Sequence, residues 1–394
     1  MARLAKMAFD GQDLRPLYQT LIGKLLDGTA DAGEGLDLAL IAQLLGEKQA
    51  GLSIQRDILN AHQLFRLPCA TDRPRLRVLA LAAATDMGSN TPIEFLLEDS
   101  AFELMVLYVV PEAGLPASLP DHDVAIVIAS DSEDCRDVLS IIDRAAARWP
   151  RPLLNPPDLV GNLDRDKLHR LIGGIDGVVI PPTLPFSRTE LSLASPAIEA
   201  GGLMGVAFPL IVRPRGSHAG VGLARIENAA ALVRYLDARA EDDFFVAPFI
   251  DYSSEDGLFR KYRVVFVDGT PYACHMAVAD RWDIWYLNAG MAGSASKRLE
   301  EETFMRTFDI GFGRRHHTAL AGIAALLRLD YFTIDCAEMR DGSLLIFEAD
   351  NTAVVHNMDS PDVFPYKAPQ MCRIFAAFAA MLQRHGRSGQ EQAA

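Results

Sequence analysis

The sequence predicts an α/β protein with more than one domain. The chain has 394 residues, of which 49% are hydrophobic and 23% are charged, which is typical of a folded protein with roughly two or three domains. Short apolar segments alternate with helical segments between residues 76 and 149, the pattern of a parallel sheet covered by helices. Later segments have the alternation and the Asp-Gly turns of β-hairpins.

The charge and the cysteine content argue against several classes of function. The formal net charge is −14, which disfavours general nucleic-acid binding and attachment to an anionic membrane. The five cysteines are scattered without a CxxC pair, so neither a disulfide framework nor a zinc site is predicted. The sequence has no signal-peptide core and no apolar run of membrane-spanning length. We therefore expect a cytoplasmic enzyme.

Residues 1–75 are predicted to form a helical N-terminal extension. Apolar residues between 36 and 67 recur at three- and four-residue spacing, with a break expected near Gly51. One helix pair does not make a repeat array. The extension is therefore interpreted either as an interaction surface, which would form a homodimer, or as structural packing.

Residues 76–165 are predicted to form a separate α/β domain. The expected strands are 76–84, 102–110 and 122–130, and the expected helices are 90–99 and 132–149. No GxGxxG motif follows the first strand, so dinucleotide binding is not indicated. Four prolines between 150 and 157 close this domain.

A glycine-rich loop follows the apolar strand at 208–214. Gly216, Gly220 and Gly222 allow the backbone to approach a ligand and to point N–H groups towards it. The glycine spacing and the missing GK[ST] ending distinguish the loop from Walker and Rossmann loops. Taken alone, such a loop is more often a turn than a ligand site.

Basic residues near this loop favour a phosphate site. Arg213 and Arg215 flank the loop and Ser217 lies in it. One guanidinium group can donate two parallel hydrogen bonds to phosphate oxygens. Further basic clusters lie at 260–263 and 296–298. The alternative for each cluster separately is a basic surface.

The sequence IDCAEMRDGSLLIFEADN is predicted to be a hairpin that places acids opposite acids. With a two-residue loop at 341–342, Asp335 lies opposite Glu348 and Thr333 lies opposite Asp350, all on one face. Opposed carboxylates repel each other, and Mg²⁺, which prefers oxygen ligands, would offset that repulsion. The alternative is a solvated outer face, which the strongly apolar flanking residues disfavour.

In this order the features resemble the ATP-grasp superfamily of ligases, over about residues 76–385. The resemblance implies an ATP-grasp fold with a preceding α/β domain. Its small lobe would span 166–252 and its large lobe 253–385, and 386–394 would be a disordered tail.

The resemblance implies a set of ATP contacts. NLDRDKL resembles the motif whose lysine reaches the nucleotide, here Lys167, and Arg213 stands on the phosphate-loop strand where the family usually has lysine. FFVAPFID resembles the strand whose backbone reads adenine, and either Asp251 or Asp256 takes the ribose hydroxyls. The implied nucleotide-binding residues are Lys167, Arg213, Arg215, Gly216, Ser217, Gly220, Gly222, Val246, Phe249, Asp251 and Lys261.

The hairpin is the most specific match to the family. The resemblance implies two Mg²⁺ ions held by Asp335 and Glu348, which occupy the family's ligand positions. Asp350 stands where the family has asparagine, and Asn351 just beyond it is the alternative third ligand.

The resemblance also implies catalytic and substrate-binding residues. Arg263 matches a recurrent arginine and, with Arg213, is the implied catalytic cation; Thr333 stands where some ligases carry an arginine. YLNAGMAGSA resembles the substrate-side segment, and further residues follow the metal strand. The implied substrate contacts are Asn288, Gly290, His356, Tyr366 and Lys367.

The function implied by the resemblance is ADP-forming ligation of a small-molecule acid to a small-molecule amine. ATP and Mg²⁺ would serve an acyl phosphate route to the amide. Two alternatives stay open: a phosphotransferase acting on a hydroxyl, which Arg213 and Thr333 keep open, and a non-catalytic nucleotide-binding module with the N-terminal helices as its partner surface. No nucleic-acid or membrane partner is expected.

Overall fold

The computed structural model describes residues 1–67, 69, 71–98, 100–217 and 220–393. These residues confirm the predicted α/β class, because their strands form three sheets with helices packed on them. None of the helices described is both long enough and apolar enough to cross a membrane.

The N-terminal extension is helical, as predicted. Its helices are α1 (Ala2–Phe9), α2 (Arg15–Leu26), α3 (Ala32–Leu44) and α4 (Lys48–Ala61). The break expected near Gly51 is wrong, because Gly51 lies inside α4 and the chain turns at Gly46, whose φ is +88°. A Cβ at Gly51 would lie 2.6 Å from the Ala39 carbonyl oxygen. Gly51 therefore allows the α3 and α4 backbones to pack closely.

The second unit is a mostly parallel sheet with helices. Its elements are β1 (Leu64–Arg66), β2 (Leu76–Ala83), α5 (Ile93–Leu96), β3 (Phe102–Val109), β4 (Val124–Val127), α6 (Arg136–Ala146), β5 (Leu153–Leu154), α7 (Pro157–Val160) and α8 (Arg165–Ile172). The strand order is β1-β3-β2-β4-β5, and only β1 is antiparallel to its neighbour. The three predicted strands are confirmed as β2, β3 and β4.

The N-terminal helices dock on the loop that follows β2. The Gln55 side chain donates to the Thr85 carbonyl oxygen at 2.8 Å, and Lys48 pairs with Asp86 at 2.6 Å. The Met87 N–H donates to the side chain of Gln43 at 3.0 Å. The extension thus covers the carboxyl end of a parallel strand within its own chain. Its predicted role as a dimer surface stays a prediction.

The third unit is a small lobe with its own core. Its elements are β7 (Leu184–Ser187), α9 (Arg188–Gly201), β8 (Leu210–Pro214), β9 (Ala224–Ile226), α10 (Ala229–Asp237) and β10 (Asp243–Pro248), which follow the short strand β6 (Val178–Val179). The order of this antiparallel sheet is β7-β10-β8-β9. Leu191, Val212, Leu232 and Phe244 pack in a core separate from that of the other units.

The large lobe completes the fold. Its elements are β11 (Phe259–Val267), β12 (Thr270–Ala279), α11 (Ala295–Arg306), α12 (Phe312–Arg315), α13 (His317–Leu327), β13 (Tyr331–Glu338), β14 (Leu344–Asp350) and α14 (Lys367–Ala393). The strand order is β12-β11-β13-β14-β6, so β6 joins this sheet although it was predicted within the small lobe. The predicted Asp268-Gly269 turn is confirmed, with φ of +49° and +73° as a type I′ turn requires.

Helix α14 joins the large lobe to the parallel sheet. It contacts β2 and β4 on one side and β11 and β12 on the other, and both units share one hydrophobic core. The helix continues to Ala393, through residues that the sequence predicted to be a disordered tail; Ala394 lies outside the described residues.

The Asn155 side chain connects the same two units by hydrogen bonds to the backbone of Asp330 and Tyr331. Its side-chain oxygen accepts from the N–H groups of Asp330 and Tyr331 at 2.9 and 3.0 Å. Its side-chain nitrogen donates to the Tyr331 carbonyl oxygen at 2.7 Å. The residue is fully buried, so this contact holds the end of β5 against the start of β13.

Candidate functional site

The acid-bearing hairpin has the predicted register. Asp335 lies opposite Glu348, and Thr333 lies opposite Asp350. The two-residue loop is wrong, however: the Met339 N–H donates to the Ser343 carbonyl oxygen at 2.8 Å and thereby closes a three-residue loop. A bulge between Asp335 and Cys336 takes up the extra residue, so the pairing of the acids is preserved.

Fixed cations offset the repulsion between the opposed acids. The Arg263 guanidinium donates to both Asp335 oxygens at 2.7 and 3.0 Å, and the Lys261 ammonium lies 2.7 Å from Asp335 Oδ2. Burial raises the pKa of Asp335, but Arg263 and Lys261 outweigh it and hold that pKa well below its usual range. Across the hairpin, Glu348 pairs with Arg165 at the start of α8.

These residues form a row of charges across the large-lobe sheet. His275 on β12 lies opposite Arg263 on β11. Arg263 lies opposite Asp335 on β13, and Asp335 lies opposite Glu348 on β14. Arg165 continues the row beyond β14. From Arg263 to Arg165, the two carboxylates stand between two guanidinium groups, so each carboxylate has a positive neighbour within the protein itself.

The predicted metal ligands are not arranged as a metal cage in this conformation. Among the residues described, no three acid, histidine or cysteine side chains are placed to hold one ion together. Both oxygens of Asp335 contact cations, and Asp350 Oδ1 accepts from the backbone N–H and the hydroxyl of Thr352 at 2.6 and 2.8 Å. The ligand set of Asp335, Glu348, Asp350 and Asn351 therefore stays a prediction, and the fold does not depend on it.

Asn351 does not line the cleft described below and instead forms hydrogen bonds inside the protein. The residue is fully buried. Its side-chain Nδ2 donates to the Ala129 carbonyl oxygen at 2.9 Å, and its backbone carbonyl oxygen accepts from the Thr91 hydroxyl at 2.7 Å. Both alternatives for a third ligand therefore stay predictions: Asp350 lines the cleft, whereas the buried Asn351 Oδ1 has no hydrogen-bond partner among the residues described.

Chelation should leave the folded chain unchanged, because its own cations neutralise the opposed acids. We expect EDTA to shift the Tm of purified protein by less than about 1 °C, since only a ligand bound to the native state adds stability. Thermal unfolding with and without EDTA measures this. A fall of several degrees that Mg²⁺ restores would contradict it.

The glycine-rich loop is closed on its own arginine. The Arg213 Nε donates to Ser217 Oγ at 3.3 Å, and its Nη2 donates to the Ser217 carbonyl oxygen. Burial, with Arg165 nearby, lowers the pKa of Arg213 to about 10. Gly216, Gly220 and Gly222 all have positive φ, which confirms that the loop backbone needs glycine. Arg215 lies over the ring of Phe245 at 5.1 Å.

A cleft of about 100 Å³ separates this loop from the hairpin. Its lining combines the start of the glycine-rich loop with carboxylates from three parts of the chain. The residues lining it include Asp131, Asp164, Arg165, Arg213, Arg215, Gly216, Ser217, Phe245, Glu348, Asp350 and Thr352. The fold therefore brings the predicted phosphate loop and the predicted metal strand to one site.

Arg165 is a cleft residue that sequence reasoning missed, in favour of Lys167. The Arg165 guanidinium donates to Glu348 and, at 2.9 Å, to the Phe347 carbonyl oxygen. Lys167 instead donates to the Gly161 carbonyl oxygen at 2.9 Å and does not line the cleft. The helix dipole gave no signal that separates the two, because Arg165 and Lys167 both lie in the first turn of α8.

The predicted adenine-side residues lie at the edge of the small lobe. The Val246 side chain is fully buried in the small-lobe core. The Phe249 N–H donates to the Pro209 carbonyl oxygen at 2.8 Å, and its ring lies under Arg225 at 4.0 Å. Asp251 accepts from the Ser253 N–H at 2.9 Å. None of these contacts tests nucleotide binding, which stays a prediction for these positions.

The predicted substrate residues are divided among three places. Asn288 is exposed, and its amide donates to the Asp283 carbonyl oxygen at 2.9 Å, next to Gly290, whose φ is +64°. The ring of His356 packs against Phe9 of α1 at 5.5 Å. Tyr366 and Lys367 belong to a buried network described in the Discussion. Their grouping around one substrate stays a prediction.

Asp131, at the end of β4, is a second cleft residue that sequence reasoning missed. Burial, with Asp350 and Asp164 nearby, raises the pKa of its carboxyl to about 7. Its own residue stretch, SDSEDC, resembles an ordinary helix start. The neighbouring acids come from residues 33 and 219 positions further along the chain, so no local pattern indicates this environment.

Asp131→Asn should stabilise the protein at alkaline pH and not at acid pH. A raised pKa means that the native state binds a proton more tightly than the unfolded chain, so stability falls between about pH 4 and pH 7. The loss has an upper limit of about 4 kcal/mol from 1.36 kcal/mol per pKa unit. Urea unfolding at pH 4 and pH 8.5 measures the difference from wild type. An equal effect at both pH values would contradict the assignment.

Comparison with known proteins gives fold-level similarity only. No protein-family profile matches the sequence, and no curated protein matches it. A RimK domain protein ATP-grasp from Sphaerobacter thermophilus DSM 20745 is 17% identical, with 78% of this chain and 99% of that chain covered and a TM-score of 0.46. A D-alanine–D-alanine ligase from Bacillus anthracis complexed with ATP is 12% identical, with 80% and 99% covered and a TM-score of 0.48.

A VanG D-Ala:D-Ser ligase from Enterococcus faecalis is similar to the same extent, at 12% identity, with 78% of this chain and 100% of that chain covered and a TM-score of 0.46. The class of this protein follows from its own sheets: it is an α/β protein in which an antiparallel small lobe and a large-lobe sheet accompany a parallel domain. The particular reaction is a matter for proposal.

Proposed function

We propose that the chain is an ATP-dependent carboxylate–amine ligase of the ATP-grasp type, which forms an amide through an acyl phosphate and releases ADP and phosphate. One observation carries this proposal. The start of the basic glycine-rich loop and the carboxylates Glu348 and Asp350 line one cleft. A bound polyphosphate needs hydrogen-bond donors for its oxygens and cations that neutralise its negative charge.

Arg165 and Arg213 are the residues we assign to the phosphates. Each is now bound to a protein oxygen, Arg165 to Glu348 and Arg213 to the Ser217 carbonyl. Phosphate oxygens would replace these partners with charge-assisted hydrogen bonds of at least equal strength. The cleft of about 100 Å³ is smaller than most ligand sites, at roughly 300–1,000 Å³, so it must widen to admit a nucleotide.

Arg263 is the residue we assign to the reacting carboxylate. Asp335 binds its Nε and Nη2, and its Nη1 lies 3.5 Å from the Val354 carbonyl oxygen. A guanidinium held by two bonds is preorganised, and a fixed positive charge stabilises the negative charge that develops during acyl transfer. Thr333 cannot take this role, since it is buried and its hydroxyl donates to the Asp350 carbonyl oxygen at 3.1 Å.

Mg²⁺ enters the proposal as the ion that accompanies ATP and neutralises phosphate charge. Glu348 and Asp350 line the cleft and are the oxygen donors we assign to it. Asp335 does not fit that role while Arg263 and Lys261 hold its oxygens. A cytoplasmic location and a homodimer through the N-terminal helices remain predictions.

The proposal is tested by ADP release from Mg·ATP over a panel of amino acids and small carboxylic acids, each with and without an amine. ADP release that requires both an acid and an amine, with an amide as product, is the expected result. ADP release with a phosphorylated alcohol would assign the phosphotransferase alternative. Absence of Mg·ATP binding by calorimetry would leave a module without this activity.

Glu348→Gln should lower turnover by about 100-fold or more, because it removes a charged oxygen donor that we assign to Mg²⁺. The fold should persist, since the partner Arg165 is part-exposed and an ion pair of this kind contributes about 1 kcal/mol or less. Steady-state rates and circular dichroism measure both. Glu112→Gln, at an exposed position, is the matched control. Normal turnover by Glu348→Gln would refute the site.

A further inference from the structure

A cavity of about 510 Å³ lies where the N-terminal extension meets the parallel domain and the large lobe. Its lining comes from α1 and the turn after it, from α5 and the loop after it, and from residues 357–358, which follow β14. The volume is within the range of roughly 300–1,000 Å³ that small-molecule sites occupy. Among the residues described, none lines both this cavity and the cleft beside the glycine-rich loop. It is therefore a separate candidate site, which we call the extension cavity.

The walls of the extension cavity are fixed by contacts within the chain. The Ala2 N–H donates to Glu94 Oε2 at 2.7 Å, which fastens α1 to α5. In the segment after β14, the Met358 N–H donates to His356 Nδ1 at 3.0 Å, and the His356 ring packs against Phe9 of α1 at 5.5 Å. A ligand that enters a site with fixed walls has little ordering to impose on the protein, which favours its binding.

Three polar side chains of the lining have no partner within the protein. Among the residues that the structure describes, no hydrogen bond or ion pair is formed by the Arg3 guanidinium or by the side-chain amides of Gln12 and Asn357. The groups available to a ligand are therefore one guanidinium and two amides. A guanidinium donates two parallel hydrogen bonds to a carboxylate, which is the planar anion that it matches best.

The charges of the lining favour one negative group on the ligand and no more. Lys6 pairs with Asp10 at 3.1 Å, and Glu98 takes part in an interaction of its own. Arg3 influences the nearby Asp37 carboxyl through its charge and, in the part of the chain described, forms no ion pair. A second negative group on a ligand would be repelled by Asp10 or Glu98, with no unpaired cation left to neutralise it.

The rest of the lining is largely apolar. Met7 and Met358 line the cavity together with Phe95, which is 5% exposed. Methionine side chains adapt their shape to a ligand, and their sulfur atoms form favourable contacts with aromatic rings. An apolar body that contains a ring would therefore suit this part of the cavity.

We propose that the extension cavity binds a small monocarboxylate with an aromatic body. Its carboxylate accepts two hydrogen bonds from Arg3 and further ones from Gln12 and Asn357, and its ring lies among the apolar side chains of the lining. This site goes beyond the proposed function, because it uses neither the cleft nor ATP.

The test measures binding of 3-phenylpropionate to the full chain without nucleotide, by ligand-observed NMR titration. We expect 3-phenylpropionate to bind wild type, and 3-phenylpropanamide, which has the same body without the charge, to bind at least tenfold more weakly. Arg3→Gln should bind 3-phenylpropionate at least tenfold more weakly than wild type, because it loses the charge-assisted pair. Arg15→Gln, at an arginine of α2 that is 76% exposed and outside the cavity, is the matched control and should bind as wild type does.

A second variant, Asn357→Asp, tests the wall that comes from the other end of the chain. It keeps the size of the side chain and places a negative charge in the lining, so 3-phenylpropionate should bind at least tenfold more weakly. Binding of the uncharged 3-phenylpropanamide should be unchanged. Arg3 and Asn357 are both exposed, so both variants should fold as wild type does, which circular dichroism measures.

Four results would overturn the inference: no binding of 3-phenylpropionate to wild type, equal binding of its amide, wild-type binding of 3-phenylpropionate by either Arg3→Gln or Asn357→Asp, or displacement by an equal concentration of inorganic phosphate. The last result would show that the cavity selects an anion without regard to its body. Because the titration contains no ATP and neither variant changes the cleft, its outcome leaves the ligase proposal to the ADP assay.

Discussion

Asp335→Asn is expected to destabilise the protein by about 3 to 5 kcal/mol, the cost of breaking a buried ion pair. The substitution keeps the size of the side chain and removes the charge that holds Arg263 and Lys261. Asp335 is 2% exposed, and the side chains of Lys261 and Arg263 are 21% and 20% exposed, so water replaces the lost carboxylate only in part. Urea unfolding monitored by fluorescence and circular dichroism measures the loss.

Asp350→Asn is the matched control on the same hairpin. Among the residues described, its carboxylate accepts hydrogen bonds from Thr352 alone, and burial beside Glu348 raises its pKa. We expect a change of about 1 kcal/mol or less, since the amide oxygen can still accept these bonds. If Asp335→Asn and Asp350→Asn are equally stable, the ion pairs at Asp335 do not hold the sheet.

Lys367→Met should also remove about 3 to 5 kcal/mol of stability, because it leaves a buried carboxylate without its cation. The Lys367 ammonium lies 2.9 Å from Asp359 and 3.5 Å from Glu301, which is fully buried. Glu301 also accepts from the hydroxyls of Tyr286 and Tyr366 at 3.0 and 2.7 Å. Chemical unfolding of the purified variant measures this effect.

A double-mutant cycle isolates the interaction between Lys367 and Glu301. Burial raises the pKa of Glu301 and Lys367 opposes that rise, so the carboxylate depends on this lysine for its charge. Lys367→Met/Glu301→Gln should therefore recover at least about 1 kcal/mol relative to the sum of the two single changes. Simple additivity would show that the lysine acts through Asp359 or through packing on Tyr286 and Phe364.

This network bears on the substrate residues predicted from the sequence. Tyr366 and Lys367 follow the acid-bearing strand, and from their order alone they suit an acceptor pocket. Their polar groups are instead engaged by Glu301, whose position on α11 brings it under the segment from residues 359 to 367. Sequence order does not predict which helix covers a loop, so the partner of a buried lysine could not be named in advance.

The hairpin shows what local sequence can predict. Alternation predicted one face for these acids, and Asp335 does lie opposite Glu348. The loop has three residues and not the predicted two, so this pairing also depends on the bulge between Asp335 and Cys336. The cations that contact Asp335 could not be deduced from the sequence. Lys261 and Arg263 lie on β11, which pairs with β13, and the order of strands in a sheet is set by the whole chain. The expectation of a metal followed from the acids alone, without their neighbours.

Asp131 and Arg165 mark the other limit of sequence reasoning. Both lie at ends of elements, where the residues of a neighbouring unit decide the environment. Asp131 meets Asp350 and Asp164, and Arg165 meets Glu348, through long-range packing. The glycine-rich loop was predictable because glycine favours a backbone with positive φ, which depends on the local sequence alone. The other residues that line the cleft come from distant parts of the chain.

The contacts of Asn155 and Asn351 have a consequence for how the cleft opens. They fasten the parallel domain to the large lobe at two separate places, and the two share a single core. The small lobe has its own core. A hinge is therefore expected on either side of residues 184–248. The cleft would open by rotation of that lobe as a rigid body, while the parallel domain and the large lobe stay fixed to each other.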